Sequence, residues 1–449
     1  MAYNLLRTLL DQLEVLRAVF TRPGFDNMLV VFAGWVQTCG VHAVTQALVA
    51  TEVAGRRHHE AFHRFFSRGT WNPDEMGHVL LGCALRLLPV GAAITLALDD
   101  TLAPKKGPQV FGMGNHLDAV RSTRRFRIFS FGHCWVVLAI RVPVPFSHRV
   151  WALPLLFRLY RNTKECTAKG HAHRKKTELA REIVDLFLSW VGERRVELAA
   201  DSAYCNDTIM RDLPRNLILL GSMRPDAVLT TPPKTRSGPK GGRPRKRGDV
   251  LPKPQKLAHD ESWPWQRCEA NLYGQRKEVK YKEICGQWYQ ACGTRLLRIV
   301  IVHVFNGTLD VRVFFSTDAA MTVPQILEGY ASRWSIEVMF RDLKQLFGFA
   351  DSSARKRAAV ERTAPFVGLT FTLLVVWFAQ NAWSTSFAIP PLRPWYRHKR
   401  GLSFADVLRT AQRALAPLDV LDPRRSLDNL HQLPRTSASP PRIPLRRRA

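Results

Sequence analysis

The chain has 449 residues, 46% of them hydrophobic, with 66 Lys and Arg against 37 Asp and Glu, a formal charge of +29. That length allows two or more structural units with sizeable cores, and the hydrophobic content excludes a largely disordered chain. The charge points to a polyanionic partner, nucleic acid first and an anionic membrane surface second. The eight cysteines are scattered without a CxxC pair, which argues against thiolate zinc and a disulfide framework and for a reducing cytoplasm.

Residues 1–88 read as all-helical, with candidate helices at 5–20, 27–38, 60–66 and 73–88. The first twenty residues mix acids with leucines, the pattern of an amphipathic helix rather than a secretory leader. Asn72 can cap the last of these helices, with Pro73 in its first position and Asp74 and Glu75 in its first turn. His58, His59 and His63 cluster, but no further ligands stand at metal-site spacing, so they read as a solvated helix face.

At residue 92 the pattern changes. AAITLALDDT is a short apolar run ending in Asp99-Asp100, which predicts a buried strand. Acids at a buried strand end are costly without a cation or partner, unless they form a turn. Residues 124–140 read as two strands with a break near Gly132, with His133 in a structural role. The run 161–176 is basic and loop-like, and its His171 and His173 suit phosphate contact or solvation. Residues 175–191 form a clean amphipathic helix. A short strand at 195–198 then leads to Asp201, at the end of a neighbour of the first strand, and 215–223 is one more strand.

Residues 231–256 hold nine Lys/Arg, six Pro and four Gly against one acid. This is a loop with no material for a core. Its centre, around Arg243, Arg245, Lys246 and Arg247, looks like a minor-groove arm, and neutralising phosphates is the simplest use for it. Strand-like runs follow at 276–285, 287–291, 296–304 and 311–316, with a turn at Asn306-Gly307. Residues 330–349 read as one helix. Tyr330, Arg333, Glu337, Arg341 and Lys344 share one stripe, beside an apolar arc of Ile336, Met339, Phe340, Leu343 and Phe347. Taken alone, that stripe fits a solvated face with ordinary salt bridges. The apolar run 364–379 falls short of the ~20 residues of a membrane span and reads as a core helix. From 386 onward the chain is rich in Pro and Arg, with one helix at 404–415 and a basic tail.

The spacing Tyr330-x2-Arg333-x3-Glu337-x6-Lys344 resembles the signature helix of bacterial insertion-sequence DDE transposases. Asp99-Asp100-Thr101 and Asp201-x-x-Tyr204 resemble that family's two aspartate motifs, and residues 59–76 resemble the stretch before its catalytic core. The resemblance implies an α/β, RNase H-like (retroviral-integrase-type) core at 89–225 and 318–385. A β-rich insertion would occupy 226–317, a helical DNA-binding or positioning domain 1–88, and a basic region 386–449.

It also implies Asp100, Asp201 and Glu337 as catalytic carboxylates and metal ligands, with Asp99 the alternative to Asp100 by adjacency. Two Mg²⁺ ions would serve, with Mn²⁺ as a substitute. Their chemistry is to activate the attacking water and stabilise the leaving oxygen of a phosphodiester. Arg333 and Lys344 would hold phosphates, Tyr330 and Arg341 would contact DNA, and one of Trp263, Trp265, Trp288 or Tyr289 would stack on a flipped base. The implied partner is double-stranded DNA, both transposon ends and target, bound by a homodimer in a synaptic complex in the bacterial cytoplasm at the nucleoid, with no membrane. The implied reaction is cleavage at terminal inverted repeats and strand transfer by cut-and-paste. A transposase-derived regulator without catalysis and an RNase H-type nuclease are the competing readings.

Overall fold

The computed structural model describes residues 2–107, 109–123, 125–233, 245–305, 309–388, 395 and 401–424. Arg243, the Asn306-Gly307 turn and the tail beyond 424 lie outside the described residues.

The chain opens with helices α1 (Ala2–Glu14), α2 (Arg22–Gln37), α3 (Val44–Ala50), α4 (Glu60–Ser67) and α5 (Pro73–Leu85). The strands β1 (Ile94–Pro104), β2 (Gly114–Leu117), β3 (Phe129–Val144) and β4 (Ser147–Tyr160) follow. Then come α6 (Thr163–Ala168), α7 (Lys176–Val191), β5 (Val196–Ala200), α8 (Asp207–Met210) and β6 (Leu217–Met223). The next stretch holds α9 (Pro254–His259), β7 (Gln266–Leu272), β8 (Gln275–Gln287), α10 (Tyr289–Cys292), β9 (Leu296–Phe305) and β10 (Leu309–Ser316). Last are α11 (Val323–Ala331), α12 (Ser335–Leu346), α13 (Arg357–Trp377) and α14 (Phe404–Leu415).

Two compact units result. One combines residues 2–71, 145–147 and the described residues from 373 onward. In it α14 returns to the first helices, and reciprocal amide bonds fix the pairing with α2. Gln37 donates to the Leu415 carbonyl at 3.0 Å, and Gln412 donates to the Val36 carbonyl at 2.9 Å. Gly34 lets α2 and α3 cross closely, because a Cβ there would strike the Ala47 carbonyl. The helical segment of this unit therefore ends before α5. Asn72 caps α5 through the Asp74 N–H, as its sequence suggests, but α5 groups with the sheet. Gly77 is the reason it can: the Leu155 carbonyl of β4 occupies the place of a Cβ.

The second unit is built on a ten-stranded sheet of order β2-β3-β1-β5-β6-β10-β9-β8-β7, with β4 pairing β3. β1 and β3 are antiparallel, whereas β1–β5 and β5–β6 are parallel. The segment expected to be an insertion adds its strands to the same sheet through β10, which runs antiparallel to β6. Leu96, Ala97 and Leu98 of β1 are all buried, as in a central strand covered on both faces. Ile326 and Leu327 of α11 pack with Leu220, Val279 and Val300 of the sheet.

Several expectations are corrected. Gly132 is not a break: it lies within the continuous β3, where β1 passes so close that a Cβ would meet the Ala103 carbonyl. The partner strand of the expected pair is β4, farther along the chain. Residues 289–292 are helical, not extended, and β7 was not foreseen. The loop-like 161–176 contains α6, which Asn162 caps through the Glu165 N–H. The apolar run at 364–379 belongs to a helical stretch of 26 residues, Arg357–Ala382, long and apolar enough to cross a membrane. Protein covers 94% of its most apolar window.

Candidate active site

The parallel pairing of β1 and β5 sets the site. Leu98 lies opposite Ala200. One step on, Asp99 and Asp201 stand side by side and face the same way; Asp201 lies just past the end of β5, but β1 does not end at Asp99-Asp100 as expected and runs on to Pro104. Burial pushes the Asp99 carboxyl up to about 6 against the pull of Arg333, and Asp201 adds to the rise. Asp201 also starts the 3₁₀ turn Ser202–Tyr204, its carboxylate accepting from the Ser202 N–H at 2.7 Å.

The third carboxylate comes from α12. The expected single helix over 330–349 is divided: α11 ends at Ala331, a 3₁₀ turn spans Ser332–Trp334, and α12 begins at Ser335. The buried Arg141 of β3 explains the break. Its guanidinium donates to the Gly329 carbonyl at 2.6 Å, competing for that carbonyl with the helical ladder, and also bonds the Ser332 hydroxyl. The turn aims Arg333 at Asp99 on β1. One of its nitrogens bonds Asp99 at 2.8 Å and the other bonds Glu337 at 2.9 Å. Burial weakens the Arg333 cation, but Asp99, then Tyr330 and Glu337, outweigh that effect and raise its pKa. Arg333 is 13% exposed and Glu337 44%, so the bridge runs from Asp99 in the sheet towards solvent.

Asp100, the residue the resemblance favoured, points the other way. Successive strand residues face opposite sides, and Asp100 turns to Lys176 at the start of α7, 2.6 Å away. The Tyr204 hydroxyl donates to its other oxygen at 2.8 Å, and the Cys134 thiol lies 3.3 Å off. Burial opposes the Lys176 charge, and the Cys134 and Asp100 groups more than offset it. Burial and Asp100 hold the Tyr204 hydroxyl far above its usual range. Asp100 is thus a partnered carboxylate that ties β1 to the turn after Asp201. The sequence carried half of this signal, a Tyr three residues beyond Asp201, and none for Lys176.

The remaining candidates are dispersed. The Tyr330 hydroxyl donates to Ser222 at 3.2 Å and its ring packs on Phe314. Arg341 is exposed and pairs with Asp342. Lys344 is half-buried, and burial lowers its pKa against the pull of Asp118. Arg245, Lys246 and Arg247 are exposed, with Arg247 over the Tyr289 ring. Trp288 meets Phe315, and Trp265 lies between Lys282 and His303. The His133 ring pairs with the Phe111 carbonyl. His173 approaches the Tyr160 hydroxyl. His58 stacks on His59, which meets His63 edge-on.

The donor chemistry of Asp99, Asp201 and Glu337 suits a hard divalent cation, since all three offer carboxylate oxygens. A cation, the Arg333 guanidinium, already bridges two of them. Among the described residues no group of three His, Cys, Asp or Glu converges on a metal position as the side chains now stand.

A family model described as DDE superfamily endonuclease matches residues 26–283, which include Asp99 and Asp201. A second, archaeal putative transposase ISC1217, matches residues 286–387, which include Glu337. No curated protein matches. One similar solved structure is the piggyBac transposase synaptic complex with hairpin DNA, at 9% identity, 97% coverage of this chain, 82% of that chain and a TM-score of 0.41. With the first model spanning more than half of its length, the chain belongs to the DDE superfamily endonucleases, a family of DNA-cleaving enzymes that generally work with divalent metal ions.

Proposed function

We propose that this protein is the DNA transposase of an insertion sequence. It would bind the element's terminal inverted repeats, cleave there, and join the freed end to target DNA by cut-and-paste. One observation carries the reading: in a DDE superfamily chain, Asp99 of β1 and Asp201, just past β5, stand side by side on neighbouring strands, and Arg333 links Asp99 to Glu337. The strand order β4-β3-β1-β5-β6, three antiparallel strands followed by two parallel to the first, supports an RNase H-like core.

In this reading Asp99, Asp201 and Glu337 hold two Mg²⁺ ions, with Mn²⁺ able to substitute. When bound, such ions supply an activated hydroxyl and a stabilised leaving oxygen. The chain's own groups do the rest. Arg333 exchanges its carboxylates for a phosphate, which its planar fork fits in two-point fashion. Lys344 adds positive charge farther along α12. Asp100, gripped by Tyr204 and Lys176, keeps Asp99 in register with Asp201. Arg245, Lys246 and Arg247, with the segment that precedes them, neutralise backbone phosphates. The helical unit positions the end, and two copies pair two ends.

The test is metal-dependent cleavage and strand transfer on DNA carrying the element's own ends, comparing wild type with Glu337→Gln. Cleavage by wild type and loss in the variant, with end binding retained, is the expected result. Tight end binding without cleavage by either protein would indicate a regulator. Cutting without preference for the ends, and without joining, would indicate a general nuclease.

A further inference from the structure

The hairpin of β2 and β3 carries a surface that the carboxylate site does not use. Phe126, Phe129 and Phe131 are 72%, 57% and 58% exposed. Phe129 and Phe131 are two residues apart on one strand and so share a face, opposite Leu117 and Asn115 of β2. Ser130, between them, faces away and bonds Asp118 at 3.0 Å. Arg121, Arg125 and Arg127 are exposed around the same turn, and among the described residues none of them forms an ion pair.

The turn is also built to hold its shape. Asp118 receives the Arg121 N–H, and Ser122 both receives the Ile128 N–H and donates to the Ile128 carbonyl. Three large rings held out in water are unfavourable on folding grounds alone. From Gly132 to Val142, by contrast, β3 is buried throughout. The exposed rings are confined to the outer end of the strand.

We infer that this hairpin is a binding surface for unpaired DNA next to the cleavage site, with the phenyl rings stacking on bases and the arginines holding the backbone. Exposed aromatics interleaved with cations suit single-stranded nucleic acid, because every base offers a π-face and every linkage a charge. Duplex DNA hides its bases from stacking. The placement agrees. Asp99 pairs with Val137, six residues from Phe131, so the rings lie about 20 Å along the strand from the carboxylates. Lys344, on the helix that carries Glu337, feels the Asp118 carboxylate at the base of the hairpin. The tryptophans at 265 and 288 already have protein partners, whereas the three hairpin rings are more than half exposed. The inference rests on the transposase reading only for the source of the unpaired strand, the DNA opened or cut at the element's end.

The experiment uses the full chain and two fluorescent probes at one salt concentration. One is a duplex; the other is the same duplex with an unpaired flank of about six nucleotides, enough to span that distance. Wild type is expected to prefer the flanked probe. A triple Phe→Ala variant at 126, 129 and 131 is expected to lose about tenfold or more of that preference and to bind plain duplex unchanged. The matching Phe→Tyr variant, which keeps stacking rings, is expected to retain it. Three results overturn the inference: wild type without preference, an alanine variant that keeps it, or an alanine variant that loses self-association in sedimentation while binding both probes normally. The last would make the hairpin a contact between copies. Failure of the transposase reading is separate. It would appear as absent end cleavage by wild type, whatever the flank preference.

Discussion

Asparagine at position 99 and asparagine at position 100 should have opposite effects. Each replacement keeps the side chain's size and removes one charge, one residue apart on β1. Asp100→Asn breaks the pair with Lys176, whose partners are 35% and 25% exposed at the side chain. Exposed pairs contribute about 0.2–1 kcal/mol, and breaking a fully buried one costs about 3–5 kcal/mol. This half-screened pair falls between, at about 1–3 kcal/mol. The Tyr204 hydroxyl can still donate to the amide oxygen, so the link to the turn after Asp201 survives. The expected result is a melting temperature lowered by a few degrees with cleavage largely kept. Asp99→Asn instead removes a carboxylate whose charge burial disfavours, the reason its pKa stands at about 6. Folding should lose little, because relief of that burial offsets the weakened Arg333 contact. Cleavage should fall by about 10²–10³-fold or more, the scale of losing a preorganised group that stabilises developing charge. The measurements are metal-dependent cleavage of labelled end DNA and thermal unfolding of both variants. If Asp100→Asn abolished cleavage at an unchanged melting temperature while Asp99→Asn cleaved normally, the assignment of the two faces of β1 would be refuted.

Tyr204→Phe deletes a hydrogen bond to a carboxylate and should cost about 1.5–3 kcal/mol; combined with Asp100→Asn in thermal unfolding, it should be clearly less than additive. Lys105 is held by the Ala350 and Ser352 carbonyls, and burial lowers its pKa to about 8. The unfolded chain therefore binds more protons than the folded one between about pH 8 and the ordinary lysine value, and this group's contribution to stability rises with pH across that window. Comparing melting temperatures at the two ends of the window should show a rise in wild type that is reduced in Lys105→Met. Gly77→Ala should destabilise by about 1–3 kcal/mol or more, because the new methyl meets the Leu155 carbonyl. Gly82→Ala, on the same helix with open space around it, should stabilise by roughly 0.5–1 kcal/mol; equal effects in thermal unfolding would contradict the packing of α5 on β4.

What the sequence disclosed and what it withheld follow one physical division. Local signals were readable. The Asn72-Pro73 start of α5, the apolar run of β1 and the acid at the end of β5 depend on residues a few positions apart. The spacing of Arg333 and Glu337 survived as well, since four residues remain neighbours across the turn that leads into α12. The break in that helix did not, because it is caused by Arg141, nearly two hundred residues earlier. Gly132 was misread for a related reason. A glycine that admits a crossing backbone and one that ends a strand look alike in sequence, and only the partner strand separates them. The choice between Asp99 and Asp100 had the same character. Both stand in one motif, and which of them faces Asp201 is decided by the register of β1 against β5, a property of two strands a hundred residues apart. The return of α14 to α2 belongs here too, because amphipathic helices announce that they have a partner without naming it. A candidate carboxylate can thus be located in the sequence to within one position, but the face it occupies must come from the pairing. An assignment made by motif adjacency alone should therefore be tested by exchanging both neighbours.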